Sequence, residues 1–349
     1  MRIGAVDTDD QVVVIAEIGN NHEGDVDLAR EMVRAAAGAG AHAVKFQAID
    51  PRRLVRPSET ARIAQLDRYR LTPADFRSLH ELALEHGLGF SCTPFDVDAV
   101  PWLAPLVDVF KIASGDNDIP QLMRAIGAAG RPALVSGGMS DTATVRGARD
   151  TLRAAGAPQV GVLHCVSAYP TPPAAAQLAT IPALRDALGP DTLIGYSDHT
   201  LGIDACVVAA ALGARVLEKH FTLRHDLSDF RDHQLSAEPA ELAALVTRVA
   251  QASGDPRGTL ASIENAQELI GTPKNGVVAV EEATARAARR SLTPVRDLPA
   301  GHVLAPGDLA WLRPRDGLAP ADEQRLLGQA LTRSVVGGDA LQSGDVTAI

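Results

Sequence analysis

The stretch 193–220, LIGYSDHTLGIDACVVAAALGARVLEKH, contains one complete strand–helix–strand unit. Its two strands are predicted at 193–196 and 215–219, on either side of an apolar helix at 203–212. The first strand runs into the polar sequence SDHT, and the second ends in EKH. A hydroxyl, a carboxylate and an imidazole in adjacent positions are unusual for packing alone, because buried polar groups cost free energy unless they are paired.

The same unit repeats along most of the chain. Short β-rich runs alternate with segments that carry helical signals, which is typical of parallel βαβ units. The eight runs are 12–17, 43–47, 89–92, 108–112, 133–136, 160–164, 193–196 and 215–219. Eight units predict an α/β fold of the (β/α)8, or TIM, barrel type. An open, doubly wound sheet is the structural alternative, but its glycine-rich turn after the first strand is replaced here by EIGNNH at 17–22.

The pattern changes near residue 265. Short β-like pieces and Pro-Gly turns replace the alternation, and they predict a second, small β-rich domain. We therefore expect a barrel domain at 1–265, a linker at 266–284 and a C-terminal domain at 285–349.

Composition excludes several classes of function. The chain of 349 residues has a net charge of −10 and only 3% aromatic residues, which disfavours nucleic acid and anionic membranes as partners. Three cysteines without CxxC spacing indicate no disulfide framework. With no targeting signal and no long apolar run, the default expectation is a cytoplasmic enzyme that binds neither membrane nor nucleic acid.

The ends of the predicted strands predict an anion site, because active sites of these barrels lie at the carboxyl ends of the strands. Lys45 and Lys111 stand at two of these ends. Hydroxyl groups accompany them at Thr93, Ser114, Ser136, Ser167 and Ser197. Two ammonium groups among several donors suit a phosphate or a carboxylate.

His199 and His220 end adjacent predicted strands, so their imidazoles could share one divalent metal and leave positions open for water and substrate. Either histidine could instead be a hydrogen-bonded structural residue. Glu17 could be a structural partner of a lysine, and Lys111 or Lys219 could form a Schiff base. Spacing alone leaves these alternatives open.

A set of ordered motifs adds a resemblance. IAEIGNNHEGD, AVKFQ, FSCTPFD, FKIASGD, VSGGMS, LHCVSAYPTP, IGYSDHTLG and VLEKHFTL follow one another along the chain. Together they resemble the N-acetylneuraminate (sialic acid) synthase family, and RRSLTPVRDLPAGHVLAPGDLAWLRP is similar to that family's antifreeze-like SAF domain, a β-clip fold. The likeness covers nearly the whole chain and implies the barrel followed by the SAF domain.

The resemblance also implies a reaction and roles for residues. Phosphoenolpyruvate would condense with an open-chain aldehyde sugar and release phosphate, with manganese, magnesium or cobalt as the divalent metal. The catalytic residues would be Glu17, Lys45, Lys111, His199 and His220, with the two histidines as metal ligands. Phosphoenolpyruvate would meet Lys45, Thr93, Lys111, Ser114, Ser167 and Ser197. The sugar would meet Glu17, Gln47, Tyr169, Asp232 and Arg313.

Two further expectations follow from the resemblance. Arg313 would reach the active site of a partner subunit in a domain-swapped homodimer. Asp198 would orient His199 by contacting the side of its imidazole ring away from the metal.

Departures from the family pattern lie on the sugar side and leave the acceptor open. The loop HDLSDFRDHQL at 225–235 lacks the usual glycine and proline, and the segment 50–71 is short. N-acetylmannosamine, a diacetamido sugar and an unusual aldehyde are the alternatives. A Schiff-base aldolase on the same barrel and a carbohydrate-binding protein without catalysis are the rival functions.

Overall fold

The computed structural model describes residues 1–347. Its centre is a closed barrel of eight parallel strands, each hydrogen-bonded to the next along the chain, with the last strand paired to the first. After a short hairpin of β1 (Arg2–Ile3) and β2 (Val6–Asp7), the barrel strands are β3 (Val13–Gly19), β4 (Ala43–Ala48), β5 (Gly89–Pro94), β6 (Val109–Ile112), β7 (Ala133–Ser136), β8 (Val160–Cys165), β9 (Leu193–Asp198) and β10 (Val216–His220). All eight predicted strands are confirmed, with ends that differ by two residues or fewer. The TIM-barrel prediction is therefore confirmed.

Alternation along each strand divides the barrel into an apolar floor and a polar mouth. Successive side chains of a strand point to opposite faces. On β3, Val13 and Ile15 pack inside the barrel, whereas Val14 and Ala16 pack against the surrounding helices. Met1 and Ile3 of the N-terminal hairpin join the inner cluster and close its lower end. The next inward position on β3 is Glu17, so the apolar filling ends where the polar residues begin.

Helices surround the barrel and bury their apolar sides against it. Thr72 caps its helix with a capping box to Asp75, and Pro73 occupies the first turn, as the sequence predicts. The helices are α1 (Val26–Gly38), α2 (Pro51–Leu54), α3 (Thr60–Arg68), α4 (Pro73–Glu85), α5 (Ala99–Leu103), α6 (Pro120–Ala128), α7 (Thr142–Ala155), α8 (Thr180–Leu188), α9 (Asp204–Ala211), α10 (Pro239–Gly254), α11 (Pro256–Ser262), α12 (Ala266–Ile270), α13 (Glu282–Ala288) and α14 (Glu323–Leu326). Within residues 1–347, no helix combines the length and apolar character needed to cross a membrane.

The C-terminal domain has a small core of its own. Strands β11 (Ser291–Pro294) and β12 (Leu309–Leu312) form an antiparallel pair. Leu292, Leu298, Leu304, Leu326 and Leu331 are among the buried residues of this core. The expected domain boundaries stay a prediction, and the final two residues of the expected domain, 348–349, lie outside the described part of the chain.

Candidate active site

Four buried charges meet at the mouth of the barrel. Glu17 on β3 pairs with Lys45 on β4, its neighbour in the strand register, at 2.8 Å between Oε1 and Nζ. Glu218 on β10 lies between the two lysines, with Oε1 3.7 Å from the Nζ atoms of both Lys45 and Lys111. Ser197 donates a hydrogen bond to the same carboxylate oxygen at 3.0 Å. All four charged side chains are at most 5% exposed, so their interactions are weakly screened by solvent.

The two carboxylates have opposite electrostatic environments. Burial alone would raise the pKa of Glu218, but the ammonium groups of Lys111 and Lys45 outweigh it and lower that pKa to about 2. Burial raises the pKa of Glu17; Lys45 opposes this effect and the negative charge of Glu218 adds to it. The pKa values of the two carboxylates are therefore shifted in opposite directions. Such separated pairs are typical of sites that perform both acid and base catalysis.

A set of hydroxyl groups adjoins the lysines, and its part formed by Ser114, Gly138 and Ser167 is called the cradle below. Ser167 donates to Ser114 at 2.8 Å between their Oγ atoms, and Lys111 donates to Ser136 at 2.7 Å. Gly138 lies against both members of the serine pair. A Cβ atom at this position would come within 2.3 Å of the Ser167 Oγ and 2.8 Å of the Ser114 Cβ, so only glycine leaves the cradle open. Thr93 completes the hydroxyl set by accepting from Lys45 at 3.4 Å.

His199 and His220 lie side by side, with ring centroids 5.5 Å apart. The Nδ1 atom of His199 is 2.9 Å from the Val166 carbonyl oxygen, so this nitrogen donates and Nε2 is left for another partner. Burial lowers the pKa of this imidazole, but the neighbouring Cys165 outweighs burial and raises that pKa above its usual value. His220 Nδ1 is buried and has no hydrogen-bond partner in the part of the chain that the structure describes. Burial lowers the pKa of His220 to about 3, which keeps its imidazole neutral, as a metal ligand must be.

The predicted sugar-side residues surround this histidine pair. The ring of Tyr169 lies 4.2 Å from that of His199 between centroids, and the Arg231 guanidinium lies 5.3 Å from the centre of the Tyr169 ring. Gln47 donates to Glu17 at 2.8 Å. Asp232 lies directly after Arg231, in a short 3-10 helix of the long loop after β10.

Arg313 approaches the site from the C-terminal domain. Its guanidinium lies 5.2 Å from the centre of the Phe95 ring, and its Nη2 is close to Gly115 in the loop after β6. The backbone N–H of Arg313 donates to the Leu54 carbonyl oxygen, and the Arg313 carbonyl oxygen accepts from the Arg56 N–H. These bonds fix the segment on the barrel of the same chain. Burial lowers the pKa of Arg313 to about 10, and the guanidinium still carries its charge at neutral pH. Arg313 therefore packs against the barrel of its own chain in this structure, and both its role in a partner's site and the homodimer stay predictions.

Two family models match this chain, one over the barrel and one over the C-terminal domain. The NeuB family model matches residues 32–255, which is more than half of the chain. The chain belongs to the NeuB family. The SAF domain model matches residues 289–347, so the resemblance seen in the sequence is confirmed in both of its parts.

Relatives of this NeuB-family chain include synthases of several different sugar acids. The N,N'-diacetyllegionaminic acid synthase of Campylobacter jejuni is 31% identical, over 93% of this chain and 97% of that protein. The N-acetylneuraminate-9-phosphate synthase of Homo sapiens is 36% identical, over 78% of this chain and 79% of that protein. These relatives are sialic acid synthase-type enzymes with different sugar products.

Solved structures agree with the fold. The Bacillus subtilis spore coat polysaccharide biosynthesis protein spsE superposes with a TM-score of 0.85 at 28% identity, over 99% of this chain and 97% of that one. The N-acetylneuraminic acid synthetase of Leptospira borgpetersenii, in complex with citrate, superposes with a TM-score of 0.68 at 30% identity, over 81% of this chain and 94% of that one.

The structure corrects the expected role of Asp198. Its carboxylate accepts from Lys219 at 2.7 Å, from Tyr196 at 2.9 Å and from the Thr200 backbone at 2.8 Å. The residue does not orient His199, because its side chain points outward from the barrel, as strand alternation requires next to the inward-facing Ser197. The ion pair with Asp198 also excludes Lys219 as a Schiff-base candidate, because the Lys219 ammonium is fully buried on the outer face of the strands, away from the barrel mouth.

Two parts of the site were missed by sequence reasoning. The first part is Glu218, for which the sequence does give a signal, because strand alternation places it on the same inner face as His220. The second part is the buried pair of Lys274 and Glu281, 2.9 Å apart, in the expected linker. Lys274 also donates to the carbonyl oxygens of Gly137 and Cys165 in the loops of the cradle. Nothing in the local sequence pattern signals that contact.

Proposed function

We propose that this NeuB-family enzyme condenses phosphoenolpyruvate with an aldehyde sugar. The C3 carbon of phosphoenolpyruvate forms a bond to the aldehyde carbon, and the aldehyde oxygen takes up a proton. Water adds to C2, and the bond between C2 and the bridging oxygen then breaks to release inorganic phosphate. The product is a 2-keto-3-deoxy sugar acid of the sialic acid type.

The central support is the position of Lys45 and Lys111 on either side of Glu218, beside the Ser114–Ser167 cradle. Phosphoenolpyruvate has a phosphate and a carboxylate, and the site offers two ammonium groups and a set of hydroxyls at one mouth. Charge-assisted hydrogen bonds of this kind are about twice as strong as neutral ones. A neutral sugar alone would not require this arrangement.

The two carboxylates are assigned complementary proton transfers. We assign the general acid to Glu17, because its raised pKa favours the protonated form that the aldehyde oxygen needs. Glu218 is ionised and accepts the proton of the water that adds to C2. Its place between the lysines keeps it near the carbon to which the phosphate is attached.

The residues at the mouth fit a divalent metal, most simply manganese. Among residues 1–347 no cluster of three or more His, Cys, Asp or Glu side chains is arranged to hold a metal. We assign His199 and His220 as the protein ligands, and the unpartnered Nδ1 of His220 supports this assignment. When bound, the ion would supply Lewis acidity toward the aldehyde oxygen. His220 is held neutral for this purpose by its burial.

The acceptor that we favour is an N-acetylated hexosamine in its open-chain form. Tyr169, Arg231 and Arg313 supply aromatic and cationic surfaces on the sugar side. The relatives named above make different sugar acids from one another, so the family alone does not fix the acceptor. The altered loop after β10 makes an unusual aldehyde the alternative acceptor for the same reaction.

We further propose that Arg313 completes the sugar side of its own chain's barrel. If a domain-swapped homodimer forms instead, mixing a His199→Ala chain with an Arg313→Ala chain will restore activity, because one intact site is rebuilt between two chains. A contact within one chain predicts no restoration on mixing.

The function is tested by phosphate release from phosphoenolpyruvate with manganese and a panel of aldehyde sugars, with and without EDTA. Release that requires one aldehyde and stops with EDTA supports the synthase and identifies the acceptor. If phosphoenolpyruvate neither binds by calorimetry nor releases phosphate with any sugar, the proposed function is wrong. Trapping by borohydride with pyruvate would instead identify a Schiff-base enzyme.

A further inference from the structure

The segment between the two domains is part of the active-site framework. Residues 274–290, here called the strap, run across the loops that follow β6, β7 and β8. At one end Lys274 and Glu281 contact the loops after β7 and β8. At the other end Arg290 donates two hydrogen bonds of 2.8 Å to Asp116 in the loop after β6. These three loops carry Gly138, Ser167 and Ser114.

Glu281 makes the contact nearest the cradle. One of its carboxylate oxygens, Oε1, accepts from the backbone N–H of Met139 at 2.9 Å and from that of Ser167 at 2.8 Å. Lys274 donates to the same oxygen at 3.0 Å. The side chain is fully buried, so one atom joins two separate loops without competition from water.

The backbone of Met139 depends on this support. Its φ of +55° lies in the left-handed region, which is unfavourable for a residue with a side chain. The N–H is held by Glu281, and the carbonyl oxygen accepts from Arg289 of the strap at 2.5 Å. Met139 directly follows Gly138, so the strap fixes the conformation of the cradle wall.

Ser167 connects the strap to the proposed phosphate position. Its N–H is held by Glu281, while its hydroxyl donates to Ser114. The two serines stand apart by 53 positions in sequence and belong to different loops. Their hydroxyls meet only if both loops keep their positions. Glu281 holds the loop of Ser167, and Arg290 holds the loop of Ser114 through Asp116.

We propose that Glu281 is a positioning residue that sets the geometry of the phosphate cradle formed by Ser114, Gly138 and Ser167. This inference rests on the proposed binding of phosphoenolpyruvate. Glu281 does not touch the substrate; it aligns the loop that carries Ser167 with the loop that carries Gly138. A purely structural ion pair with Lys274 would not require hydrogen bonds from the backbone of either loop.

Two variants of the full-length protein test this role. Glu281→Asp keeps the negative charge beside Lys274 but shortens the side chain by one methylene, so one oxygen can no longer reach both loops. Glu281→Gln keeps the length and removes the charge. The matched control is Glu282→Gln at the exposed neighbouring position. Calorimetry with phosphoenolpyruvate and, separately, with inorganic phosphate measures the cradle directly.

We expect Glu281→Asp to weaken binding of phosphoenolpyruvate and of inorganic phosphate about tenfold, with the KM for the sugar unchanged. Glu281→Gln keeps an oxygen that can accept from both loops, so it should weaken both less than Glu281→Asp does, and Glu282→Gln should match the original protein. Equal phosphate affinity in folded Glu281→Asp and in the control would overturn the inference. If the unsubstituted enzyme itself fails to bind phosphoenolpyruvate, the proposed function fails instead, so the two failures are distinguishable.

Discussion

Replacing Glu218 by glutamine should separate substrate binding from catalysis. In the free enzyme this carboxylate lies 3.7 Å from both ammonium groups and occupies the place where they would attract an anion. The amide keeps the shape and can still accept from Ser197, but it carries no charge and cannot take a proton from water. We therefore expect phosphoenolpyruvate to bind more tightly while turnover falls.

The expected magnitudes follow from these distances. A unit charge about 4 Å from another contributes about 4 kcal/mol at an effective dielectric constant of about 20. Because breaking a buried pair costs about 3–5 kcal/mol, the variant without substrate should be less stable by an amount in this range. Phosphoenolpyruvate replaces the missing negative charge, so its Kd should fall by about threefold to tenfold, or about 0.7–1.4 kcal/mol. Loss of a general base should lower kcat by about 10² to 10⁴.

Three measurements give a complete test: calorimetry with phosphoenolpyruvate, the thermal midpoint with and without it, and kcat with the acceptor. The variant should melt at a lower temperature than the original protein, and phosphoenolpyruvate should raise its midpoint by more. Glu264→Gln, at an exposed position, is the matched control. An unchanged kcat, or a weaker affinity for phosphoenolpyruvate, would refute the role assigned to Glu218.

Three other predictions concern separate parts of the site. Burial raises the pKa of Glu17, and its protonated form is the proposed acid, so kcat should fall as pH rises through that pKa. If kcat of a Glu17→Gln variant still fell over the same pH range, the assignment would be contradicted. Asp198→Asn leaves the buried Lys219 ammonium without its partner, so the free energy of unfolding in urea should fall by about 3–5 kcal/mol while the folded protein keeps its kcat. A lower kcat without loss of stability would instead indicate an active-site role for Asp198. Arg313→Ala should raise the KM for the sugar about tenfold, equivalent to about 1.4 kcal/mol, with no change in phosphoenolpyruvate affinity, and unchanged sugar kinetics would count against its assignment.

The barrel could be predicted because its signals are local and repeated. Each strand is a short apolar run, several helices have caps in their own sequence, and Thr72 and Pro73 mark one helix start at the correct position. Strand ends of a barrel converge by geometry, so Lys45, Lys111 and His220 could be placed at one mouth without knowing any contact.

Long-range pairing could not be predicted in the same way. Glu281 contacts Ser167 across 114 positions, from a segment with no strong strand or helix pattern. Sequence position alone suggests a role for Asp198, because its neighbours Ser197 and His199 both belong to the site, but strand alternation turns Asp198 toward Lys219. The two-residue period of a strand excludes Asp198 from the inner face and includes Glu218.

In the proposed reaction, phosphoenolpyruvate reacts at C2 and loses phosphate by C–O cleavage. Phosphoenolpyruvate labelled with ¹⁸O at the oxygen that bridges C2 and phosphorus tests this directly, in the presence of manganese and the aldehyde acceptor. We expect the released inorganic phosphate to carry the label. Unlabelled phosphate would mean cleavage between phosphorus and oxygen, and either that result or no release with any aldehyde would contradict the proposed reaction.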